Sequence, residues 1–397
     1  MIRYIIVYKR INKGVYMQTA TYKYQNNQWD NNFDTTLDSK NSLIIIFSSI
    51  DQIIMKKELS NIINLFPSSI IIGASTSGEI LHNEVLDDTI VISITKFKST
   101  RLKHLLCDSI NNETSYKDGI AIANKLYKKD LKGIFILSDG LNTNGSKLTH
   151  GVSSILKSSV VVSGGLAGDK DRFEKTWVIQ NGQLKESIVC SIGFYGNNIH
   201  FEAASKGGWN TLGLTRTVTK SKDNILYELD DKPALEIYKR YLGDKAKELP
   251  ASGLLFPLEL KENCSNNDET KVRTVLSIDE SKQSITFAGD IPQNSKVTLM
   301  KANFNRLING AEKSAESLNF DNYNDEPLLC IAISCVGRKL VLKSRIDEEI
   351  EAIKDVLPKN TNLIGFYSYG EISPLRSGVC DLHNQTMTLT AIWESYE

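Results

Sequence analysis

Residues 71–79 read IIGASTSGE, and a near copy of that stretch, LIGFYSYGE, occupies residues 363–371. Each begins as a short apolar strand, passes through a glycine and ends in the pair Gly-Glu. A looser third copy, VVSGGLAGD, runs over residues 161–169 and ends in Gly-Asp. A pattern that occurs three times in one chain indicates internal duplication, and the shared polar, acidic ends indicate a place to hold a ligand.

Each copy follows an earlier apolar run, and the segment between the two runs has the periodicity of a helix. The earlier runs are LIIIF at 43–47, GIFIL at 133–137 and LLCIAI at 328–333. Residues 51–66 place their apolar side chains on one helical stripe, with Asp51 as a suitable N-cap and Pro67 as a stop. A second crossover helix is predicted over 146–156. Strands that are apolar on both faces and joined through a helix are typical of parallel, right-handed strand-helix-strand units.

The remaining segments predict antiparallel strands and a second domain. Asn181-Gly182 separates two alternating segments and favours a hairpin turn. The Gly-, Thr- and Lys-rich segment 204–224 indicates a domain boundary, and we predict domains at 1–220 and 221–397. The fold class is therefore predicted as α/β, with mixed parallel and antiparallel sheets, repeated strand-helix-strand units and two domains. A length of 397 residues accommodates both the duplication and the division.

Composition excludes several classes of protein. Lys plus Arg and Asp plus Glu each number 47, so no net field attracts nucleic acid or an anionic membrane. The chain has no apolar run near the roughly 20 residues that a spanning helix needs, and the opening MIRYIIVYKR does not read as a secretory leader. We therefore expect a cytoplasmic protein with neither nucleic acid nor membrane as a partner.

Six cysteines fall at irregular intervals without a C-x-x-C pair. This spacing favours reduced, mostly buried thiols over a zinc site or a disulfide framework. We predict no structural metal and no resident cofactor.

The polar ends of the three copies are the candidate ligand site. The carboxyl ends of parallel strands are where α/β proteins bind ligands, and glycine there permits close approach of the backbone. The alternative is that each acid only caps its own tight turn. The candidate residues are Ser75, Thr76, Ser77, Gly78 and Glu79 in the first copy, Gly164, Gly165 and Asp169 in the second, Tyr367, Tyr369, Gly370 and Glu371 in the third, and His383 and Asn384 downstream.

Catalytic signatures are weak. Residues 140–147, GLNTNGSK, resemble a phosphate-binding loop but lack its Gly-Lys-Ser/Thr ending. Ser75 stands where a nucleophile elbow would place its serine, but Ser77 replaces the second glycine. A hydrolase that uses Ser75 stays an alternative, and the main prediction is a protein that is not an enzyme.

Five short motifs, taken in order, resemble those of FIST proteins, named for F-box and intracellular signal transduction. They are IGASTSGEI from Ile72, LSDG from Leu137, GGLAGD from Gly164, GFYSYGEI from Gly365 and HNQT from His383. The resemblance covers nearly the whole chain, with FIST N-terminal and C-terminal domains on either side of the boundary above. It implies a bacterial, cytoplasmic sensory module that binds small ligands such as amino acids.

Family members are often joined to histidine kinase, diguanylate cyclase or chemoreceptor domains. This chain has no room for such a domain, so we expect it to signal to a separate output protein. Other family members are haem-based nitric-oxide sensors, and the resemblance therefore leaves haem on His82 or His383 as an alternative. For an amino-acid-like ligand we expect the ammonium on Glu79, Asp169 or Glu371, and the carboxylate on N-H groups near Gly78, Gly165 or Gly370 and on the hydroxyls of Ser75 and Tyr369.

Overall fold

The computed structural model describes residues 17–108, 111–156, 158–180, 182–262 and 270–395. Residues 1–10, Asn181 and Cys264, on which predictions from the sequence fall, lie outside these ranges. The remaining cysteines are free thiols: Cys107, Cys190, Cys330, Cys335 and Cys380.

Three strand-helix-strand units are present, as predicted. The first comprises β1 (Gln18–Gln25), β2 (Gln28–Trp29), β3 (Ser42–Ser48), α1 (Gln52–Leu65), β4 (Ile70–Ser75), β5 (Glu79–Leu81), β6 (Glu84–Leu86) and β7 (Ile90–Lys96). The second comprises β8 (Arg101–Cys107), α2 (Ser115–Leu126), β9 (Leu131–Ser138), α3 (Gly145–Leu156), β10 (Val161–Leu166), β11 (Val178–Gln180), β12 (Gln183–Lys185) and β13 (Val189–Tyr195).

The third unit is interrupted by an inserted sheet. After β14 (Ile199–Lys206) the chain forms β15 (Asn210–Thr211), β16 (Arg216–Lys222), β17 (Ile225–Leu229), β18 (Lys232–Pro233), α4 (Ala234–Leu242), β19 (Leu258–Lys261), β20 (Lys271–Arg273), β21 (Val275–Asp279), β22 (Ser284–Phe287) and β23 (Lys296–Lys301). It then completes the unit with α5 (Phe304–Glu316), β24 (Leu328–Cys335), α6 (Val336–Leu342), α7 (Ile346–Val356), β25 (Thr361–Ser368), β26 (Gly370–Pro374), β27 (Cys380–His383) and β28 (Met387–Glu394).

The central strands of each unit are parallel, and α1 begins and ends where its sequence signals lie. β3 pairs parallel with β4, β9 with β10 and β24 with β25. The Asp51 carboxylate accepts a hydrogen bond from Ile53 N at 2.8 Å and so caps α1. The crossover helix α3 starts one residue before the predicted position.

The three units exchange hairpins in a cycle, which the sequence did not predict. Hairpin β5–β6 of the first unit pairs with β25 of the third, β26–β27 of the third pairs with β10 of the second, and β11–β12 of the second pairs with β4 of the first. Each of the three sheets consequently repeats one strand order: β12-β11-β4-β3-β7-β1-β2, β27-β26-β10-β9-β13-β8 and β6-β5-β25-β24-β28-β14. The units therefore follow a pseudo-threefold pattern.

The three sheets enclose one shared hydrophobic core, and the opposite face of each sheet packs against helices in a peripheral core of its own. Phe47, Phe135, Ile331 and Phe366, which come from three different sheets, belong to the same buried cluster. On the opposite faces, α1 covers the first sheet, α2 and α3 the second, and α5 and α7 the third. The inserted sheet has a separate core with α4. This arrangement directs the carboxyl ends of all three parallel pairs toward the loops that carry the predicted site.

Candidate functional site

Glu79 lies inside the protein, at the start of an exchanged hairpin. Its side chain is 0% exposed and accepts hydrogen bonds from the hydroxyls of Thr89 at 2.6 Å, Ser49 at 3.1 Å and Thr76. Burial raises the pKa of Glu79 to about 7. A group of hydroxyl donors around one buried carboxyl is the usual way to satisfy a polar group inside a protein.

Glu371 repeats this arrangement in the third unit. It is 0% exposed, and it accepts hydrogen bonds from the Ser368 hydroxyl at 2.8 Å and from the N-H and hydroxyl of Thr386 at 3.1 and 2.9 Å. Burial raises the pKa of Glu371 to about 8. We expected both carboxylates at an edge that a ligand could reach, and the structure instead encloses them because neighbouring hydroxyls replace the solvent.

The second unit has apolar residues in place of the buried glutamate and its hydroxyl donors. In the sheet registers Glu79 pairs with Phe366, Glu371 with Gly165 and Val178 with Ala74, so Val178 takes the acidic position. Ile188, which precedes β13, correspondingly takes the place of Thr89, and the buried Ala167, which follows β10 as Thr76 follows β4, takes the place of Thr76. Val178 and Ile188 are both buried in the shared core. The triads Thr76-Glu79-Thr89 and Ser368-Glu371-Thr386 therefore act as packing units, and a ligand contact for either acid stays a prediction.

The loops that carry the hairpins from one sheet to the next converge. We call these the crossing loops: residues 76–78, 167–177 and 369. Each crossing loop donates one backbone hydrogen bond to the end of a parallel strand in another unit. The bonds run from Ser77 N to Tyr367 O at 2.8 Å, from Gly168 N to Ser75 O at 2.9 Å, and from Tyr369 N to Leu166 O at 3.2 Å. We call this ring of bonds the hub. It brings the predicted polar ends together through their backbones.

Asp169 organises the longest crossing loop. Its carboxylate accepts hydrogen bonds from the N-H groups of Phe173 at 2.9 Å, Glu174 at 2.9 Å and Lys175 at 2.8 Å, and from the hydroxyl of Tyr369. The Phe173 ring stacks on Tyr369, with centroids 4.6 Å apart and an interplanar angle of 16°. Asp169 thus holds this loop across the hub.

Two cavities lie on either side of that loop. The unit-one cavity, of about 450 Å³, lies beside the start of α1, and Ser48, Ser75, Thr76, Asp169, Arg172 and Trp177 are among its lining residues. Three of the predicted site residues, Ser75, Thr76 and Asp169, therefore line the unit-one cavity. The Ser75 hydroxyl accepts a hydrogen bond from Trp177 N at 2.9 Å.

The second cavity, of about 410 Å³, separates the hub from the inserted sheet, and we call it the insert cavity. Its apolar lining includes Leu141, Leu166, Phe173, Leu276, Phe287, Val336 and Tyr369. Its polar lining includes Asn112, Thr143, Asn144, Asn224 and Thr274, with Glu113, Lys147, Asp223 and Asp290 as the charged residues. An apolar cavity with a few polar groups suits a small organic ligand.

The other predicted residues support the loops. His383 is buried with its Nε2 3.1 Å from Ser373 O, and burial lowers its pKa to about 4. Asn384 donates from Nδ2 to His383 O at 3.0 Å. His82 Nε2 lies 3.0 Å from the Thr21 hydroxyl. None of these three lines either cavity among the described residues.

The glycines shape the strand ends. Gly165 is the strand partner of Glu371, Gly164 pairs with Ile372, and Gly370 pairs with Leu166. Gly78 has a φ of +130°, and a side chain there would displace the Lys339 ammonium. Tyr367 is buried in the third unit.

The inserted sheet contributes site residues that our reading of the sequence missed. Thr274, Phe287 and Asp290 line the insert cavity, and residues 140–147, rejected as a phosphate loop, form its opposite side. One signal was present: Ala-Gly-Asp occurs at both 167–169 and 288–290. The second copy places Asp290 on the cavity.

Comparison with known proteins agrees with this architecture. The FIST N domain matches residues 42–232, and the FIST C domain matches residues 234–374. The chain belongs to the FIST family. An uncharacterized protein of Methanocaldococcus jannaschii is 23% identical over 406 residues, covering 89% of this chain and 73% of the relative. FIST domains imply a sensory role in signal transduction.

The resemblance seen in the sequence is therefore confirmed, as is the mixed α/β fold class. In the part of the chain that the structure describes, no helix is both long and apolar enough to cross a membrane.

Proposed function

We propose that this FIST protein is a small-molecule sensor that binds an amino-acid-like metabolite with an ammonium group in the insert cavity. The observation that carries the proposal is the position of that cavity between the hub and the inserted sheet. A ligand there contacts both parts of the chain at once. Binding can therefore favour one arrangement of the two parts over another, which is what a sensor requires.

The lining divides the ligand's contacts by chemistry. Acidic residues on the cavity, including Asp290 and Glu113, favour an ammonium group. The stacked rings of Phe173 and Tyr369 offer an apolar wall. In this account Tyr369 contacts the ligand directly, Asp169 positions the wall, and Glu79 and Glu371 stabilise the strand ends behind it.

The signal passes to an output partner. A histidine kinase, a diguanylate cyclase or a chemoreceptor are the partners that we propose, because FIST domains serve signal transduction. The crossing loop 167–177 and the inserted sheet are the parts that a partner would sense, since both border the cavity.

The proposal requires neither catalysis nor a cofactor. The imidazole of His383 is enclosed and bonded to a backbone carbonyl, and Ser75 holds Trp177 N. These contacts favour structural roles over haem ligation or nucleophilic attack.

Native mass spectrometry of freshly purified protein, followed by thermal-shift screening of metabolites, tests the proposal. Leu276 is 41% exposed and lines the cavity, so Leu276→Trp should fill it and abolish binding of any retained or screened ligand. Ile53→Trp, at a position that is 79% exposed on α1, is the control for added size. A ligand that binds both variants equally well would place the site elsewhere.

A further inference from the structure

We propose that the insert cavity selects an organic amine, a primary ammonium joined to an apolar or aromatic body, over the corresponding free amino acid. The inference rests on the proposed function because it concerns the same cavity. It goes further in stating that the ligand has no carboxylate.

The charged side chains on the cavity leave no cation for a carboxylate. Lys147 is the one cation among the described lining residues, and its Nζ lies 2.8 Å from the Asp223 carboxylate. Asp290 accepts a hydrogen bond from Asn144 Nδ2 at 3.0 Å, and within the described residues neither it nor Glu113 forms an ion pair. The described lining thus has three carboxylates, of Glu113, Asp223 and Asp290, and one ammonium, which already pairs with Asp223.

Two other sources of positive charge nearby are also engaged. The Arg273 guanidinium lies behind Gly289 and donates to the carbonyl oxygens of Asp290 at 3.0 Å and Leu382 at 3.2 Å. The first turn of α3 is capped, because Asn144 Oδ1 accepts from Lys147 N at 2.9 Å. A ligand carboxylate would lose its hydration without gaining a charged partner.

Thr274 independently indicates a polar ligand group. It is 4% exposed and lines the cavity, and its hydroxyl has no hydrogen-bond partner among the described residues. Buried hydroxyls are normally satisfied, so this one is available to accept from an ammonium N-H. The stacked pair Phe173 and Tyr369 provides an aromatic surface for the body of the ligand.

The third unit shows how this fold binds an ammonium at its strand ends. Lys339 Nζ, on α6 just after β24, lies 2.7 Å from the Asp87 carboxylate and 3.0 Å from Ser77 O. It also lies 5.4 Å from the centroid of the Tyr367 ring. A carboxylate, a crossing-loop carbonyl and an aromatic face therefore hold a primary ammonium that belongs to the chain itself. The cavity beside the second unit also offers carboxylates and aromatic faces, and its one described lining lysine, Lys147, is paired with Asp223.

Calorimetric titration of the full chain with two matched series tests the inference. The aryl series is phenethylamine, phenylalanine and hydrocinnamate, and the alkyl series is isoamylamine, leucine and isocaproate. We expect at least one amine to bind about tenfold or more tighter than its amino acid, with no measurable binding of the acids. Asp290→Asn should weaken amine binding about 10- to 100-fold, and Thr274→Val several-fold.

The controls separate this inference from the proposed function. Asp244→Asn, which removes an exposed carboxylate just after α4, should leave amine binding unchanged. An amino acid that binds tighter than its amine, and loses binding in Leu276→Trp, would overturn the inference while supporting the cavity as the site. The absence of saturable amine binding at millimolar concentrations would also overturn it. Amine binding that survives Leu276→Trp would count against both.

Discussion

Each buried glutamate belongs to a set of three side chains that is present or replaced as a whole. The first and third units have hydroxyl-carboxyl-hydroxyl triads around Glu79 and Glu371, and the second unit has Val178 and Ile188 at the matching positions. Removing one partner of a buried hydrogen bond costs more free energy than replacing all partners with apolar groups. The second unit therefore serves as a comparison for the two glutamate triads, because it fills the same positions with apolar side chains.

Glu79→Val alone should lower the free energy of unfolding by about 2 to 4 kcal/mol, because three hydroxyls lose their acceptor. The triple variant Thr76→Ala, Glu79→Val, Thr89→Ile copies the second unit and should recover at least about 1 kcal/mol of that loss. Urea unfolding of both variants measures the difference. A triple variant that is no more stable than the single one would show that the acid has another role.

The raised pKa of Glu79 predicts a pH dependence of stability. The native state holds this proton up to about pH 7, whereas the ordinary carboxyl releases it near 4.5. Between those values the unfolded state binds fewer protons, so the contribution of Glu79 to stability, full below pH 4.5, decreases as pH rises to about 7.

In Glu79→Gln this loss should be absent, and relative to wild type the variant should gain up to about 3 kcal/mol of stability across that window. Glu371→Gln should show the same trend, extended to about pH 8. Chemical unfolding at a series of pH values measures both. A constant difference between variant and wild type would mean that the carboxyl is ionised in the folded protein throughout.

At the scale of elements, the strand-helix-strand units could be predicted from the sequence because their signals are local. The apolar stripe of 51–66 and its cap Asp51 predicted α1 to within a residue. The exchange of hairpins could not be predicted in this way. The short strand β5 pairs with the edge of β25 in another unit, and the residues of its own unit give no signal of that pairing.

The candidate site shows the same division. The three repeated sequence stretches indicated the strand ends that converge at the hub, because glycine and polar residues occur at those ends. They did not show that Glu79 is enclosed, since its donors Ser49 and Thr89 come from other segments. They also did not show that the inserted sheet covers the second and third units.

The crossing loop 167–177 depends on one carboxylate, so Asp169→Asn should loosen it. Three N-H groups and the Tyr369 hydroxyl would lose a charged acceptor, which should cost about 1 to 3 kcal/mol. Hydrogen exchange should accelerate over 170–176 and leave the strands unchanged. Asp171→Asn, in the exposed part of the same loop, is the control. Equal exchange in the two variants would contradict this role for Asp169.

At the scale of the molecule, ionic and hydrogen-bond contacts fasten the inserted sheet to the three-unit core beside the insert cavity. Lys271 pairs with Glu262 at 2.7 Å and with Asp381 on an exchanged hairpin. Asp290 N donates to the Ser146 hydroxyl at 3.3 Å at the start of α3. A ligand between these contacts would stabilise the inserted sheet and the hub together, which links its binding to the arrangement of the whole chain.

Hydrogen-deuterium exchange of the full chain with and without its ligand tests the central claim, that the ligand lies between the hub and the inserted sheet. We predict protection in three segments that are distant in sequence: 140–147, 169–177 and 286–290. Residues 48–52, which line the unit-one cavity away from the inserted sheet, should exchange at an unchanged rate. The loop 169–177 borders both cavities, so the outcome that would contradict the account is protection of 48–52 and 75–76 with no change at 140–147 or 286–290, which would move the site to the unit-one cavity.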